Sequence, residues 1–142
     1  MRDADPITVA ADVVASIVSH ARSEAPYECC GLLLGDAGTV NAIVPARNVA
    51  HSRTRYRVHP EDHFGAIRAA RARGLTVVGA YHSHPESAAR PSDADLAEAS
   101  YPEYVYVILS LADDTDAPVA AGALRAFRLS PEGVRELRLV VR

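Results

Sequence analysis

Lysine and tryptophan are absent from this chain of 142 residues, and all fifteen of its basic side chains are arginines. The chain therefore offers no lysine side chain to a conjugating system. Its formal net charge of -3 gives no electrostatic reason to expect a nucleic-acid partner. No apolar run is long enough to cross a membrane, and the first residues lack the pattern of a signal peptide. We therefore expect a cytoplasmic protein without a membrane partner.

Cysteine is scarce, because Cys29 and Cys30 are the only two and they are adjacent. Neighbouring residues on a strand point to opposite faces, so an internal disulfide is not expected. Two cysteines alone do not make a zinc knuckle either. Hydrophobic residues make up 49% of the chain and charged residues 23%, which is typical of a globular protein. We expect one domain over residues 1–142, with a sizeable core.

Two histidines, His82 and His84, follow an apolar run over residues 76–81 that is rich in β-branched side chains. Such a run predicts a strand. Residues i and i+2 of a strand point to the same face, so the two imidazoles can aim at one point in space. Pro85 ends the strand because it cannot donate a hydrogen bond to a sheet. Ser83 is expected on the opposite face, in a packing or supporting contact.

A third metal ligand is predicted in the segment after this strand. Residues 86–91 are typical of a loop, and the following residues have the pattern of a helix start, with Ser92 or Asp93 as the cap. A loop of this size can bring the first helical turn back to the strand end, where Asp95 can offer a carboxylate oxygen. Two histidines and one carboxylate leave the fourth position of a zinc ion to water, which indicates a catalytic site.

The string from His82 to Pro85, a spacer of six residues and then Ser92-x-x-Asp95 resembles the signature of the JAMM/MPN+ metallopeptidases. Upstream, Glu28 precedes Cys-Cys-Gly-Leu-Leu-Leu-Gly, which is similar to the acid and the first strand of that family. The likeness extends over nearly the whole chain. Because the chain lacks long insertions, it is most similar to the small bacterial members, which include a cysteine peptidase acting on a sulfur-carrier protein.

The resemblance implies a mixed α/β fold, with a sheet flanked by helices in the α-β-α arrangement shared with cytidine deaminases. It also implies a Zn²⁺ ion held by His82, His84 and Asp95, with Glu28 as the catalytic acid that shuttles protons. Taken alone, Glu28 has the sequence context of a surface acid at a helix–strand junction. Glu24 is the competing acid, although it lies outside the motif.

Two further groups of side chains have open interpretations. The hydroxyl of Ser92 either donates to a developing oxyanion, as the resemblance implies, or caps the helix, and one hydroxyl can do both. Arg53, Arg55 and Arg57 alternate in a segment predicted as a short strand over 53–58, so they are expected on one face. They form either a solvated edge or a surface that binds an extended tail or its carboxylate.

The predicted function is zinc-dependent hydrolysis of the amide bond after the C-terminal Gly-Gly of a small ubiquitin-like or sulfur-carrier protein. The expected product is cysteine, in a cysteine-biosynthesis role, and an isopeptide-linked protein is the other product considered. Two alternative functions stay open: a non-catalytic MPN scaffold that binds protein partners, and a metallohydrolase of a small amide. The complete set of ligands argues against the scaffold. Motifs of serine hydrolases and nucleobase deaminases are missing.

The remaining elements are predicted from periodicity and turn residues. They are a helix capped by Thr8 and ending near Ser23, a hairpin over 29–44, a helix from Pro60 to Arg73, an apolar strand over 104–111 that we expect to be central, an acidic turn over 113–116, and a final strand pair over 119–129 and 134–141. The remaining histidines of the middle of the chain are predicted as surface or capping residues: His51, His59 and His63.

Overall fold

The computed structural model describes residues 6–113 and 122–142 of the chain. Three helices are interspersed among eight strands in these described residues. The elements are β1 (Ile7–Val9), α1 (Ala11–Glu24), β2 (Cys30–Asp36), β3 (Thr39–Ala46), α2 (Pro60–Ala72), β4 (Thr76–His84), α3 (Asp93–Glu98), β5 (Val105–Ser110), β6 (Leu124–Ser130), β7 (Gly133–Leu137) and β8 (Leu139–Val141).

The eight strands of the described residues form one sheet in the order β7-β6-β5-β4-β2-β3-β1-β8. The sheet is mixed, because β4 pairs parallel with β5 and β1 pairs parallel with β3 and β8, whereas the other neighbours are antiparallel. Only Arg138 separates β7 from β8, although these strands stand at opposite ends of the order. The two edges of the sheet therefore come together at Arg138, and the sheet is strongly curved.

Helices α1 and α2 cover opposite faces of the sheet, and the side chains of β2 alternate between them. Leu33 belongs to the core that contains Ile17 of α1, whereas Leu32 belongs to the core that contains Ala66 and Ala70 of α2. The buried face of α2 consists of these two alanines. The prediction of a mixed α/β fold with a sheet flanked by helices is confirmed.

The bounds of α2 agree with the turn residues of the sequence. Pro60 lies in the first turn, where a backbone N–H has no intrahelical partner to lose. The side chain of His59 caps the helix by accepting the N–H of Glu61 at 3.1 Å. Gly74 follows the helix with a φ of 71°, a left-handed conformation that glycine adopts without strain. α2 thus ends shortly before β4, the strand that carries the two histidines.

The predicted start of the first helix is wrong. Thr8 lies in β1, and α1 begins at Ala11 after Ala10, which makes no side-chain cap. β1 exists because its backbone pairs with β3 and β8, which are distant in the sequence. No helix of the described residues has the length and apolar character that a membrane span requires.

Two further elements differ from prediction. Residues 53–58 form no strand; they are part of a loop in which Val58 makes one isolated bridge with Asn48. The predicted strand 134–141 is divided at Arg138 into β7, which pairs with β6, and β8, which pairs with β1. The apolar strand β5 lies inside the sheet, between β4 and β6. Residues 114–121, which include most of the predicted acidic turn and the start of the strand at 119, lie outside the described residues.

Candidate metal centre and active site

The end of β4 presents two buried histidines on one face, as the alternation of a strand predicts. β4 runs through both of them, and it is paired with β2 on one side and with β5 on the other. His82, for example, lies opposite Cys30 of β2 and Ile108 of β5. Because both neighbours fix this backbone, the rings are held together: His82 Nε2 and His84 Nε2 are 3.1 Å apart.

Asp95 joins the two histidines from the first turn of α3. Ser92 caps this helix, and its Oγ accepts the N–H of Asp95 at 3.0 Å. In return, Asp95 Oδ2 accepts the N–H of Ser92 at 2.9 Å, which completes a capping box. The same Oδ2 lies 3.1 Å from His82 Nε2 and 3.0 Å from His84 Nε2. The helix cap therefore also fixes a carboxylate oxygen against both imidazoles.

Contacts on the far side of each imidazole set its orientation. His84 Nδ1 donates to the carbonyl oxygen of Ala88 at 2.8 Å. A neutral ring that donates through Nδ1 keeps a lone pair on Nε2, and that atom faces the cluster. Although burial opposes it, the hydrogen bond with Asp95 raises the pKa of His84, and the protonated ring also donates from Nε2 to Asp95. The ring of Tyr56 stacks on His82 with centroids 4.1 Å apart. His82 Nδ1 is buried and has no hydrogen-bond partner within the described part of the chain.

Glu28 completes a buried group of four side chains, which we call the metal cluster: Glu28, His82, His84 and Asp95. One ligand-type atom from each lies within 4.8 Å of the others. All four residues are at most 3% exposed. Glu28 Oε1 is buried without a hydrogen-bond partner among residues 6–113 and 122–142. Burying two carboxylates beside two imidazoles is costly unless a cation or proton compensates them.

Burial and mutual contacts set the charges of the metal cluster. Burial raises the pKa of Glu28 to about 8, although the charge of His84 counteracts it. Burial opposes ionisation of Asp95 as well, but hydrogen bonds from His82 and His84 outweigh it and hold the pKa of Asp95 below its ordinary value. Burial lowers the pKa of His82. Asp95 is therefore anionic and His82 neutral near pH 7, which are the forms that bind a metal ion.

The geometry of the metal cluster fits a tetrahedral ion. The distances among His82 Nε2, His84 Nε2 and Asp95 Oδ2 are 3.0, 3.1 and 3.1 Å, so the atoms form a nearly equilateral triangle. Ligand atoms about 2.0–2.1 Å from a tetrahedral zinc ion lie about 3.3 Å from one another. The triangle therefore matches one face of such a tetrahedron. The three atoms account for three of its four corners.

Ser83 lies between the two histidines and faces the other side of β4, as predicted. It is fully buried, and its Oγ accepts the N–H of Cys29 at 2.9 Å. Its own N–H donates to the carbonyl of Cys29 at 3.1 Å. Ser83 therefore clamps the residue next to Glu28 onto β4. Both cysteines are free and buried, in agreement with the expected lack of a disulfide.

The three other histidines of the middle segment lie outside the metal cluster. His59 caps α2, as described above. His51 stacks on Tyr27 with ring centroids 4.3 Å apart. His63 Nε2 is 2.9 Å from the hydroxyl of Tyr104. These positions agree with the predicted capping and surface roles for His59 and His51, whereas His63 makes a partly buried contact.

The arginine row is not arranged as predicted. Because residues 53–58 form a loop, the expectation that Arg53, Arg55 and Arg57 share one strand face is wrong. All three are exposed. Arg55 and Arg57 line a cavity of about 420 Å³ beside Tyr56, and Arg53 is not among the described residues that line it. Arg57 Nε also lies 3.5 Å from a carboxylate oxygen of Glu98. Substrate binding by this row stays a prediction.

Two residues that shape the site were missed in the sequence. Tyr56, which covers His82, is 9% exposed although it lies between two exposed arginines. A large aromatic ring within a polar loop was the available signal, because such a ring is usually buried against something. Asn48 was not singled out in the sequence, yet its side chain makes four hydrogen bonds with the backbone. Nothing in the local sequence distinguishes it from any other loop asparagine.

A buried His-His-Asp triangle beside a glutamate, on a curved sheet between helices, defines a metal centre suited to hydrolysis. Comparison with known proteins agrees with this class. Residues 10–130 match the family described as prokaryotic homologs of the JAB domain. The chain belongs to this family. With its cluster of two histidines, an aspartate and a glutamate, it is a metallopeptidase of the JAMM type.

Individual relatives are similar over most of their length. Desampylase from Haloferax volcanii is 46% identical over 142 residues, which cover 95% of this chain and 96% of the relative. CysO-cysteine peptidase from Mycobacterium tuberculosis is 34% identical over 132 residues, covering 92% and 87%. A solution structure of a Desulfitobacterium hafniense protein superposes with a TM-score of 0.84 at 31% identity, covering 96% of this chain and 92% of that one. A JAB1/MPN domain protein from Archaeoglobus fulgidus shares the fold, with a TM-score of 0.61, 18% identity and 96% coverage of both chains.

Proposed function

We propose that the chain is a zinc-dependent peptidase that hydrolyses the amide bond after the C-terminal Gly-Gly of a small ubiquitin-like or sulfur-carrier protein. The observation that carries this proposal is the complete, buried metal cluster. The names of two relatives, desampylase and CysO-cysteine peptidase, support a conjugate of a small protein as the substrate. A scaffold that only binds partners has no use for such a cluster.

Zinc suits the donor atoms of the cluster. Two imidazole nitrogens and one carboxylate oxygen, with an open fourth position, are the ligands of many catalytic zinc sites. We therefore assign His82, His84 and Asp95 as the ligands. When bound there, zinc lowers the pKa of a water molecule and polarises a carbonyl group.

Glu28 is the proposed proton shuttle. With a cation in the metal cluster to keep its carboxylate ionised, it takes a proton from the attacking water and delivers it to the leaving amine. Its carboxylate lies within 4.8 Å of the proposed ligand atoms, so it borders the position where substrate and water meet. Because Glu28 Oε1 has no hydrogen-bond partner among the described residues, it can exchange protons without first breaking a contact inside the protein.

Ser92 is proposed both to cap α3 and to donate a hydrogen bond to the developing oxyanion. As the cap of α3, its oxygen accepts the N–H of Asp95, which uses one lone pair of the hydroxyl. The hydroxyl proton remains available as a donor to the developing oxyanion. The cap holds this donor three residues from Asp95, at the same end of α3 as the proposed ligand.

The cavity beside Glu28 bears on the leaving group. Because Glu28 must reach the leaving amine, that amine belongs on the side of the cavity that Glu28 lines, which has a volume of about 470 Å³. Two further acids, Glu24 and Asp62, line it. Arg47 lines it too and pairs with Asp62 at 3.0 Å, so these two charges offset each other, and Glu24 leaves the described lining acidic. A cysteine leaving group carries a carboxylate, which an acidic lining repels. The charge of the cavity therefore supports an isopeptide-linked protein as a second candidate leaving group, in addition to the predicted cysteine.

The tail of the carrier is proposed to cross the loop that carries Tyr56. Tyr56 stacks on His82, so a chain that reaches the metal cluster passes this ring. Arg55 and Arg57 line, together with Tyr56, the cavity of about 420 Å³ described above. Their guanidinium groups can contact backbone carbonyls or acidic groups of the tail. Glycines at the end of the tail suit a narrow approach, because they have no side chain to clash.

A panel of adducts tests the proposal. A small carrier ending in Gly-Gly is linked either to cysteine or, through an isopeptide bond, to a lysine-containing peptide, and the products are identified by mass spectrometry. A matched carrier with two leucines in place of the glycines is the control for tail recognition. We expect zinc-dependent release after Gly-Gly from at least one adduct and little from the control. Equal cleavage of the leucine control, or no cleavage of any adduct by zinc-loaded protein, would contradict the proposed function.

A further inference from the structure

The carboxylate of Glu28 belongs to the metal cluster, but hydrogen bonds do not hold its Oε1 atom there. Its Oε1 is buried and has no hydrogen-bond partner in residues 6–113 and 122–142. A buried carboxylate oxygen that no hydrogen bond holds depends on the backbone that carries it for its position. The groups that fix the backbone of Glu28 therefore decide where the acid lies, and a displacement of about 1 Å at a reacting group can cost about 10²-fold in rate.

The backbone of Glu28 is held on both sides by the loop over residues 48–57. Its N–H donates to the carbonyl of Ser52 at 2.8 Å. Its carbonyl accepts from Nδ2 of Asn48 at 3.1 Å. Glu28 lies just before β2, which begins at Cys30, so its own N–H and carbonyl pair with no strand, and β4 holds only its neighbour Cys29 through Ser83. The loop thus replaces the missing strand partner.

Asn48 also organises that loop. Its Nδ2 makes a second bond to the carbonyl of Arg55 at 3.0 Å, and its Oδ1 accepts the N–H groups of Ala50 and Arg57 at 3.0 and 2.9 Å. One amide therefore closes the loop around itself and ties it to Glu28. Tyr56, which stacks on His82, lies between Arg55 and Arg57, two of the three loop residues that Asn48 holds.

We propose that Asn48 is a positioning residue: its amide holds Glu28 at the metal cluster and sets the place of Tyr56 in the same network. This proposal rests on the proposed peptidase function for its kinetic consequences. Only an amide of this length satisfies all four partners, because two donors and an acceptor are required. Aspartate keeps the acceptor oxygen but replaces the donating amide nitrogen by an oxygen, which repels the two carbonyl oxygens. Alanine removes both the donor and the acceptor.

The kinetic test compares Asn48→Asp with Asn41→Asp, the same chemical change at the exposed Asn41 of β3. We expect Asn48→Asp to lower kcat by about 10²-fold with zinc still bound in full, whereas Asn41→Asp leaves kcat unchanged. The loss belongs mainly to kcat, because the acid acts in the chemical step. A kcat of Asn48→Asp within about twofold of the wild type would overturn the proposal, and so would a change confined to KM.

A double-mutant cycle asks whether Asn48 acts through Glu28. If it does, adding Asn48→Asp to Glu28→Gln costs little further activity, because the group that Asn48 positions no longer shuttles protons. A full additional loss of about 10²-fold in the double variant would show that Asn48 acts on another group, and the inference would be wrong.

Hydrogen exchange provides a test that does not depend on activity. In Asn48→Ala, the amides of Ala50 and Arg57 lose their acceptor and should exchange at least about tenfold faster. In Asn48→Asp those two amides keep their acceptor, yet the amide of Glu28 should exchange faster in both variants because the loop is no longer tied to it. Unchanged exchange at Glu28 would refute the role of Asn48 even if the wild-type protein cleaved no carrier. Faster exchange at Glu28 in variants of a protein without peptidase activity would support the positioning role of Asn48 and contradict the proposed function instead.

Discussion

Replacing Glu28 by glutamine removes its acid–base function while keeping its size and its burial. The side chain loses no hydrogen bond at Oε1, because Oε1 has no hydrogen-bond partner among the described residues. The backbone hydrogen bonds of Glu28 to Ser52 and Asn48 are unaffected. Glu28 is not one of the three proposed ligands, so the variant should keep its zinc. The expected effect is a loss of ~10²–10⁴ in kcat, the usual contribution of general acid–base catalysis. This corresponds to about 2.7–5.4 kcal/mol in the barrier.

The assay measures kcat and KM on a cleaved carrier adduct, together with zinc content and thermal unfolding. Glu24→Gln is the matched control, because Glu24 is an exposed acid that lines the same cavity. We expect Glu24→Gln to retain near wild-type turnover. Near wild-type turnover in Glu28→Gln, together with inactivity of Glu24→Gln, would move the acid–base role to Glu24 and refute the argument from the metal cluster.

Three further outcomes are expected. Metal analysis should find about one zinc per wild-type chain, and His82→Ala or Asp95→Ala should lose it, since either change opens the ligand triangle; full occupancy in both variants would exclude this site. Ser92→Ala should reduce kcat by ~10²–10³ if the hydroxyl donates to the oxyanion. Loss of the helix cap should cost about 1 kcal/mol of stability, which thermal unfolding detects, and a loss of stability without a loss of kcat would show that Ser92 acts only as the cap. Arg55→Glu should raise KM more than it lowers kcat, and Arg71→Glu, an exposed change in the last turn of α2, is the control; equal kinetics in both would return Arg55 to a solvated surface role.

The parts of the site that could be predicted depend on local rules. The two-residue period of a strand is enough to place His82 and His84 on one face, and it needs no knowledge of the neighbouring strands. Ser92 caps α3 through its own backbone neighbours within three residues, so the sequence also contains that signal. Glu28 was assigned from the resemblance to the JAMM/MPN+ family rather than from periodicity, because no local feature marks it as buried.

The errors arose where the chain obtains its hydrogen bonds from distant segments. Thr8 looked like a helix cap, but three residues around it gain more from pairing with β3 and β8 than from joining α1. The segment from 53 to 58 alternates like a strand, yet its backbone groups bond to the side chain of Asn48 instead of a sheet neighbour. The split at Arg138 follows from the curvature of the whole sheet, which brings its two edges together there.

The sequence by itself therefore determined the ends of α2, the cap of α3 and the convergence of two histidines on one face, because each follows from contacts within a few residues. The fold class followed from the order of the predicted elements and from the family resemblance. Only the tertiary structure decided that Oδ2 of Asp95 closes an equilateral triangle with them, and that Glu28 is buried without a partner. It also decided that Asn48 ties the loop of Tyr56 to the acid. These contacts join residues from separate strands, helices and loops, and their distances are fixed by how the curved sheet and its helices pack rather than by local preference.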